Sequence, residues 1–118
     1  MTLSFVERPL VYVAAPYARD DCVHNTNIAI VAADELNDTG YVTCFVPHLS
    51  LLWHIIRPHD VDYWYTIDLA YLAKCDALIR LPGASSGADK EIEFSDDHDI
   101  PVFYDKDKLL VWAKGMGK

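Results

Sequence analysis

The sequence predicts an open α/β fold, a parallel sheet covered by helices on both faces, and three observations carry that prediction. Residues 9–16 (PLVYVAAP) form a near-continuous apolar run bounded by prolines, the pattern of a strand buried on both faces. Such runs alternate along the chain with stretches of helical character, and strand–helix–strand repetition implies parallel pairing through right-handed crossovers. The run at 77–81 passes through Pro82 and Gly83 into a small-residue loop and then a helical pattern carrying Glu91 (ALIRLPGASSGADKEIEF). In open α/β sheets, ligands collect where a strand ends and a helix begins.

The elements follow in order. Tyr12 is the polar handle of the first strand. After a polar turn at 17–21, Val23, Ile28, Val31, Ala32 and Leu36 recur at roughly helical spacing until Asp38, Thr39 and Gly40 stop the helix. Residues 41–46 read as the second strand, closed by Pro47 and His48. The aromatic and histidine-rich stretch that follows, with LLWHIIRPHD at its centre, has no clear period and is expected to be a short helix and a loop. Residues 60–74 (DVDYWYTIDLAYLAK) read as a helix with Trp64, Ile67, Ala70, Tyr71 and Lys74 on neighbouring faces and Asp68 among them. The third strand is 77–81. The next helix is expected to start at Ser85 or Ser86, with Ser86 and Asp89 in capping-box spacing and Glu91 in the first full turn, and to run to Asp97. Residues 101–104 (PVFY) are the fourth strand and 105–113 the closing helix.

The simplest arrangement is a flavodoxin-like or Rossmann-like three-layer sandwich with four parallel strands, or five, in the order 2-1-3-4. That order puts the switch point between the first and third strands, so the loop at 14–19 should face the loop at 82–87 and Tyr12 should meet Glu91.

At 118 residues the chain is expected to be one domain, 1–118, able to bury roughly two-thirds of its unfolded surface. A net charge of −8 and a pI near 4.8 disfavour a nucleic-acid polymer as partner, since that needs a basic face. Cys22, Cys44 and Cys75 are odd in number and form no CxxC pair, which points to a reducing cytoplasm. No leader pattern opens the chain and no apolar run approaches the ~20 residues that span a bilayer, so no membrane partner is expected.

Several chemistries are disfavoured by the motifs. Ala14, Ala15 and Pro16 leave no GxGxxG after the first strand, the Gly83–Gly87 spacing is not a Walker loop, and no GxSxG elbow exists. A receiver domain would need an acid where Leu81 and Pro82 stand. His48, His54, His59 and Cys44 place no two ligands on one helical face, so no metal site is expected. What remains is carboxylate chemistry: Asp68 and Glu91 with the phenol of Tyr12, the equipment of glycosidic bond cleavage. Glu93 points elsewhere and reads as solvated. Around these, Gly83 and Gly87 allow close backbone approach, and Ser85, Ser86 and Gly87 offer N–H groups to an anion at the helix start. The first loop supplies Ala15, Pro16, Tyr17 and Arg19, with His48 ending the strand beside it. Tyr17, Trp53, Trp64 and Tyr65 are candidates to stack on a base.

VYVAAPY, DLAYLAKCDALIRLPG and SSGADKEIEF followed by IPVFY together resemble the nucleoside 2-deoxyribosyltransferase-like superfamily, above all its small, largely uncharacterised phage and bacterial members. The likeness spans 10–104. It implies that Glu91 is a nucleophile, that Asp68 orients it or handles the base, and that Tyr12 hydrogen-bonds the carboxylate. The implied reaction cleaves an N-glycosidic bond of a nucleoside or nucleoside 5′-monophosphate, with water resolving a glycosyl-enzyme ester. Transfer to a second base is the alternative, and a nucleotide-binding module without turnover is another. No cofactor is implied. Ser85 falls where relatives acting on free nucleosides carry aspartate and monophosphate hydrolases carry serine. Ala15 and Pro16 replace the glycine or serine of many members, and Ala84 a frequent tryptophan. A homo-oligomer is expected, because Leu51, Leu52, Trp53, Ile55, Ile56 and Trp64 are more apolar surface than one small domain readily buries, and members of this superfamily build sites between subunits.

Overall fold

The structure is a computed structural model that describes residues 3–17 and 21–116; Arg19 lies outside them. Four parallel strands, β1 (Leu10–Ala14), β2 (Thr43–Phe45), β3 (Ala77–Arg80) and β4 (Val102–Phe103), form one sheet in the order β2-β1-β3-β4, the order expected from the alternation. The crossovers carry α1 (Cys22–Asp38), α2 (Leu51–Ile56), α3 (Val61–Leu72) and α4 (Ser86–Asp97), and α5 (Lys106–Met116) closes the chain. One-turn 3₁₀ segments occupy Phe5–Glu7 and Pro47–Ser50. Among the described residues no helix is long and apolar enough to cross a membrane.

β1 is the hub. It pairs with β2 from Leu10 to Tyr12 and with β3 from Val11 to Ala14, so all of its side chains face helices. Strand alternation sends Val11 and Val13 into the layer of α1 and α5, and Tyr12 and Ala14 into the opposite layer with Leu72, Leu78 and Ala88. A fully buried leucine, isoleucine or valine contributes roughly 1.5–3 kcal/mol, which makes this double-sided burial the main anchor of the sheet. It is also why a lone phenol in β1 ends up inside the α3–α4 layer.

Two helices present other faces than the spacing predicts. In α1 the sheet-facing residues are Thr26, Ala29, Ala32, Ala33 and Leu36, while Val23, Ile28 and Val31 are exposed. Alanines let the helix lie close on the strands, and the bulkier residues are turned outward. In α3 the buried residue is Leu72, with Leu69 packed beside it, whereas Ala70 and Tyr71 are exposed. Tyr71 instead stacks on Phe45 at 4.6 Å between ring centres.

α4 starts at Ser86 and runs to Asp97 as expected, but its cap differs. Ser85 is the N-cap, extended at φ −160°, and its Oγ accepts from the Ala88 amide at 3.1 Å. The third helical position is therefore Ala88, which cannot close a capping box, and Asp89 points to Arg80 at 3.5 Å. With Ser86 as the first helical residue, Glu91 falls in the second turn, on the stripe of Ala88 and Ser95 that faces the sheet.

Candidate active site

Four elements, β1, β3, α3 and α4, converge above the β1–β3 junction. Tyr12 and Leu78 are register partners, as are Ala14 and Arg80, so the strand side chains on this face are Tyr12, Ala14, Leu78 and Arg80. α4 lowers Glu91 onto them. The Tyr12 hydroxyl donates to Glu91 Oε2 at 2.5 Å, a buried contact between residues 79 apart in sequence. Glu91 as a whole is 7% exposed. Asp68 of α3 is part-buried on the same side, close enough to act electrostatically on Glu91, Tyr12 and Tyr17.

Burial dominates the electrostatics. It pushes the carboxyl groups of Glu91 and Asp68 each up to about 7, because a desolvated carboxylate loses the water that stabilises its charge. For Glu91 the Tyr12 hydrogen bond and the Arg80 charge pull the other way, while Asp68 adds to the rise. Tyr12 is held well above its ordinary range by burial and by the two acids, so its phenol keeps the proton and donates it. Two carboxyl groups poised near neutrality are a pair in which one can be ionised while the other holds a proton.

The two loops expected to face each other are in contact. An added β-carbon on Gly83 would lie 2.7 Å from the Pro16 ring, and Gly83 has φ +119°. The Leu81 amide donates to the Ala14 carbonyl at 2.9 Å, which carries the β1–β3 pairing past the strand ends. Tyr17 is held through its carbonyl by Asn25 Nδ2 at 3.0 Å. Ala15 is buried beneath this loop. His48 turns inward: it is 3% exposed, its Nε2 lies 3.0 Å from the Pro16 carbonyl oxygen, and its ring meets Tyr17 edge-on. A carbonyl partner requires the hydrogen on Nε2, and burial holds the ring below its usual pKa, so the His48 side chain braces the first loop as a neutral donor.

At the start of α4, Ser86 and Gly87 are exposed and their amides belong to the first helical turn, which has no intrahelical acceptors. The Ser85 oxygen is used by the cap, and its hydrogen is left to donate. Of the aromatic candidates, Tyr65 lies within electrostatic reach of Glu91: burial and the charges of Glu91 and Glu93 raise its phenol, and Lys90 sits 5.5 Å over its ring. Trp53 and Trp64 pack edge-on to each other and to Tyr63. His54 Nδ1 accepts from the Trp64 indole at 2.7 Å and His59 stacks on Tyr63, so these histidines serve the aromatic cluster. An open cleft of about 350 Å³ lies nearby between Arg80, Gly83, Asp89, Ile92 and Tyr104, without Tyr12, Asp68 or Glu91 in its lining. The buried acid pair, with its shifted ionisation and matched donor, is the stronger marker of chemistry.

Arg80 escaped the sequence reading. Its signal was an arginine in the last position of an otherwise apolar strand, where a charge is tolerated only if it is bonded.

No protein-family model matches the chain, and no curated protein does. The solved structures do: the chain has a nucleoside 2-deoxyribosyltransferase-like fold. One structure it resembles is a 2-deoxyribosyltransferase from the psychrotolerant bacterium Bacillus psychrosaccharolyticus. It is 17% identical, has a TM-score of 0.56, and aligns over 79% of this chain and 69% of its own.

Proposed function

We propose that the protein cleaves the N-glycosidic bond of a nucleoside or nucleoside 5′-monophosphate through a glycosyl ester on Glu91 that water resolves. The observation that carries this reading is the buried Tyr12–Glu91 hydrogen bond beside Asp68. The fold shared with a 2-deoxyribosyltransferase supports the same class of substrate. In the first step a Glu91 oxygen bonds to the anomeric carbon as the carbon–nitrogen bond breaks. The electron pair leaves with the base, which takes a proton from Asp68. In the second step water attacks the same carbon, gives its proton to Asp68 and frees Glu91. Tyr12 holds the nucleophile in place, and Ala15, Pro16 and Tyr17 wall the sugar side. His48 contributes through the loop it braces. Arg19, outside the described residues, belongs to the same loop. The unpaired thiols of Cys22, Cys44 and Cys75 suit a cytoplasmic setting.

Ser85 supports a 5′-monophosphate. A carboxylate there would repel a phosphate, whereas a hydroxyl hydrogen beside the amides of Ser86 and Gly87 can donate to one. The test is a panel of nucleosides and their 5′-monophosphates, with free base measured by chromatography. Release of base is expected, with higher kcat/KM for the monophosphate, and Glu91→Gln should lose about a thousandfold or more. Near wild-type release by Glu91→Gln would reject the nucleophile. Binding without release would favour a nucleotide-binding module, and base exchange outpacing hydrolysis would favour a transferase. Preference for the free nucleoside, or a monophosphate preference that stays unchanged in Ser85→Asp, would reject the phosphate site.

A further inference from the structure

Arg80 ends β3 on the face of Leu78 and Tyr12, and its side chain is 10% exposed. The guanidinium donates to the carbonyls of Leu81 and Gly83, the latter at 2.7 Å, and lies 3.5 Å from the Asp89 carboxylate. Those two carbonyls belong to the loop that presses Gly83 on Pro16 and then delivers the Ser85 cap. Asp89 is in the first turn of α4 and 70% exposed, so its ion pair is screened by water and contributes little by itself. A part-buried guanidinium held by a loop on one side and a helix start on the other ties the two together, which a lysine ammonium with its compact charge does less well.

Polar or charged groups act on Glu91 from three other elements: Tyr12 from β1, Asp68 and Tyr65 from α3, and Arg80 from β3, with Asp89, Lys90 and Glu93 flanking it on α4. Burial and Asp68 disfavour the ionised form, and Tyr12 and Arg80 favour it. Tyr12 offers a single hydrogen bond, while Arg80 offers a fixed positive charge.

We propose that Arg80 is a positioning residue for Glu91: anchored on the β3–α4 loop, it fixes where α4 begins and supplies a positive charge to the carboxylate. The proposal rests on the reading of Glu91 as the nucleophile for its catalytic consequence, and on the bonds of Arg80 to the β3–α4 loop and to Asp89 in the first turn of α4 for its positioning role.

The experiment compares the wild-type chain with Arg80→Met and Arg80→Lys. Carboxyl ¹³C NMR of glutamate-labelled protein, with Glu91 assigned through Glu91→Gln, reads its ionisation without any turnover. Base release across pH reads the consequence. In Arg80→Met the Glu91 midpoint should rise by about half a pH unit or more, and the acid limb of kcat/KM should move with it, a loss of about threefold on that limb. Arg80→Lys should keep the midpoint closer to wild type while KM rises, because the charge stays and the loop anchor goes. An unchanged midpoint and acid limb in folded Arg80→Met would overturn the proposal. If Arg80→Met does not fold, Arg80→Lys decides, and no change in either KM or midpoint would overturn it. If wild type releases no base from any substrate, the proposed function falls and the NMR midpoints still judge the role of Arg80.

Discussion

Glu91 and Asp68 are each raised to about 7 from ordinary values of 4.5 and 3.8, chiefly by burial. Folding therefore favours their protonated forms. The stability that this contributes is complete below the ordinary values and is lost as pH rises through about 7. The nucleophile needs the opposite charge state. Between pH 5 and 8 we expect urea stability to fall while kcat/KM passes through a maximum near 7, because Glu91 must be ionised and Asp68 protonated, with two apparent steps that belong to the pair. Glu91→Gln should remove much of the stability loss, on the order of 3 kcal/mol for a carboxyl shifted this far. Parallel pH profiles of wild type and Glu91→Gln would contradict the burial argument. Tyr12→Phe and Asp68→Asn should each lower base release, by less than Glu91→Gln does, since both act on the carboxylate or the departing base without forming the bond.

Two loops determine how the elements meet. His48 and Asn25 hold the β1–α1 loop from behind, and Gly83 touches it from the β3–α4 side. Gly83 has no room for a side chain there and sits in the left-handed region of backbone space, so alanine would be strained twice over. Gly83→Ala is expected to cost about 1–3 kcal/mol and to raise KM more than it lowers kcat, because Pro16 must move away. Urea denaturation and steady-state kinetics measure the two effects, and stability within about 0.5 kcal/mol of wild type would refute the contact. At the other glycine of this region, Gly87, a side chain would meet only Ser85 Oγ at 3.9 Å, so Gly87→Ala should be mild.

Over the whole molecule, apolar side chains are left outside the two cores. Leu52, Ile55 and Ile56 of α2 are each about two-thirds exposed and Trp53 about half, while Leu51 and Trp64 are part-buried. Ile28, Ile30 and Val31 of α1 add a second exposed apolar set. A soluble monomer seldom shows patches of this extent, and we expect the chain to form a homo-oligomer through α2. Light scattering at micromolar concentration tests this: a monomer would reject it, and Ile56→Glu should weaken the assembly.

The element order, the 2-1-3-4 sheet and the meeting of Tyr12 with Glu91 were determined by the sequence alone. Buried parallel strands are written as apolar runs, right-handed crossovers leave few ways to arrange four of them, and a phenol in the central strand must point into one helix layer. Tertiary structure alone decided the rest. Whether Ala29 and Ala32 or Ile28 and Val31 would face the sheet depended on how closely α1 could approach it. The choice of Ser85 over a Ser86–Asp89 box depended on Asp89 having Arg80 as a partner from another element. That the acids are poised near neutrality, that His48 turns to Pro16, and that Arg80 reaches the loop carbonyls all depend on distances between residues far apart in sequence and on water excluded from between them, and neither quantity is carried by local pattern.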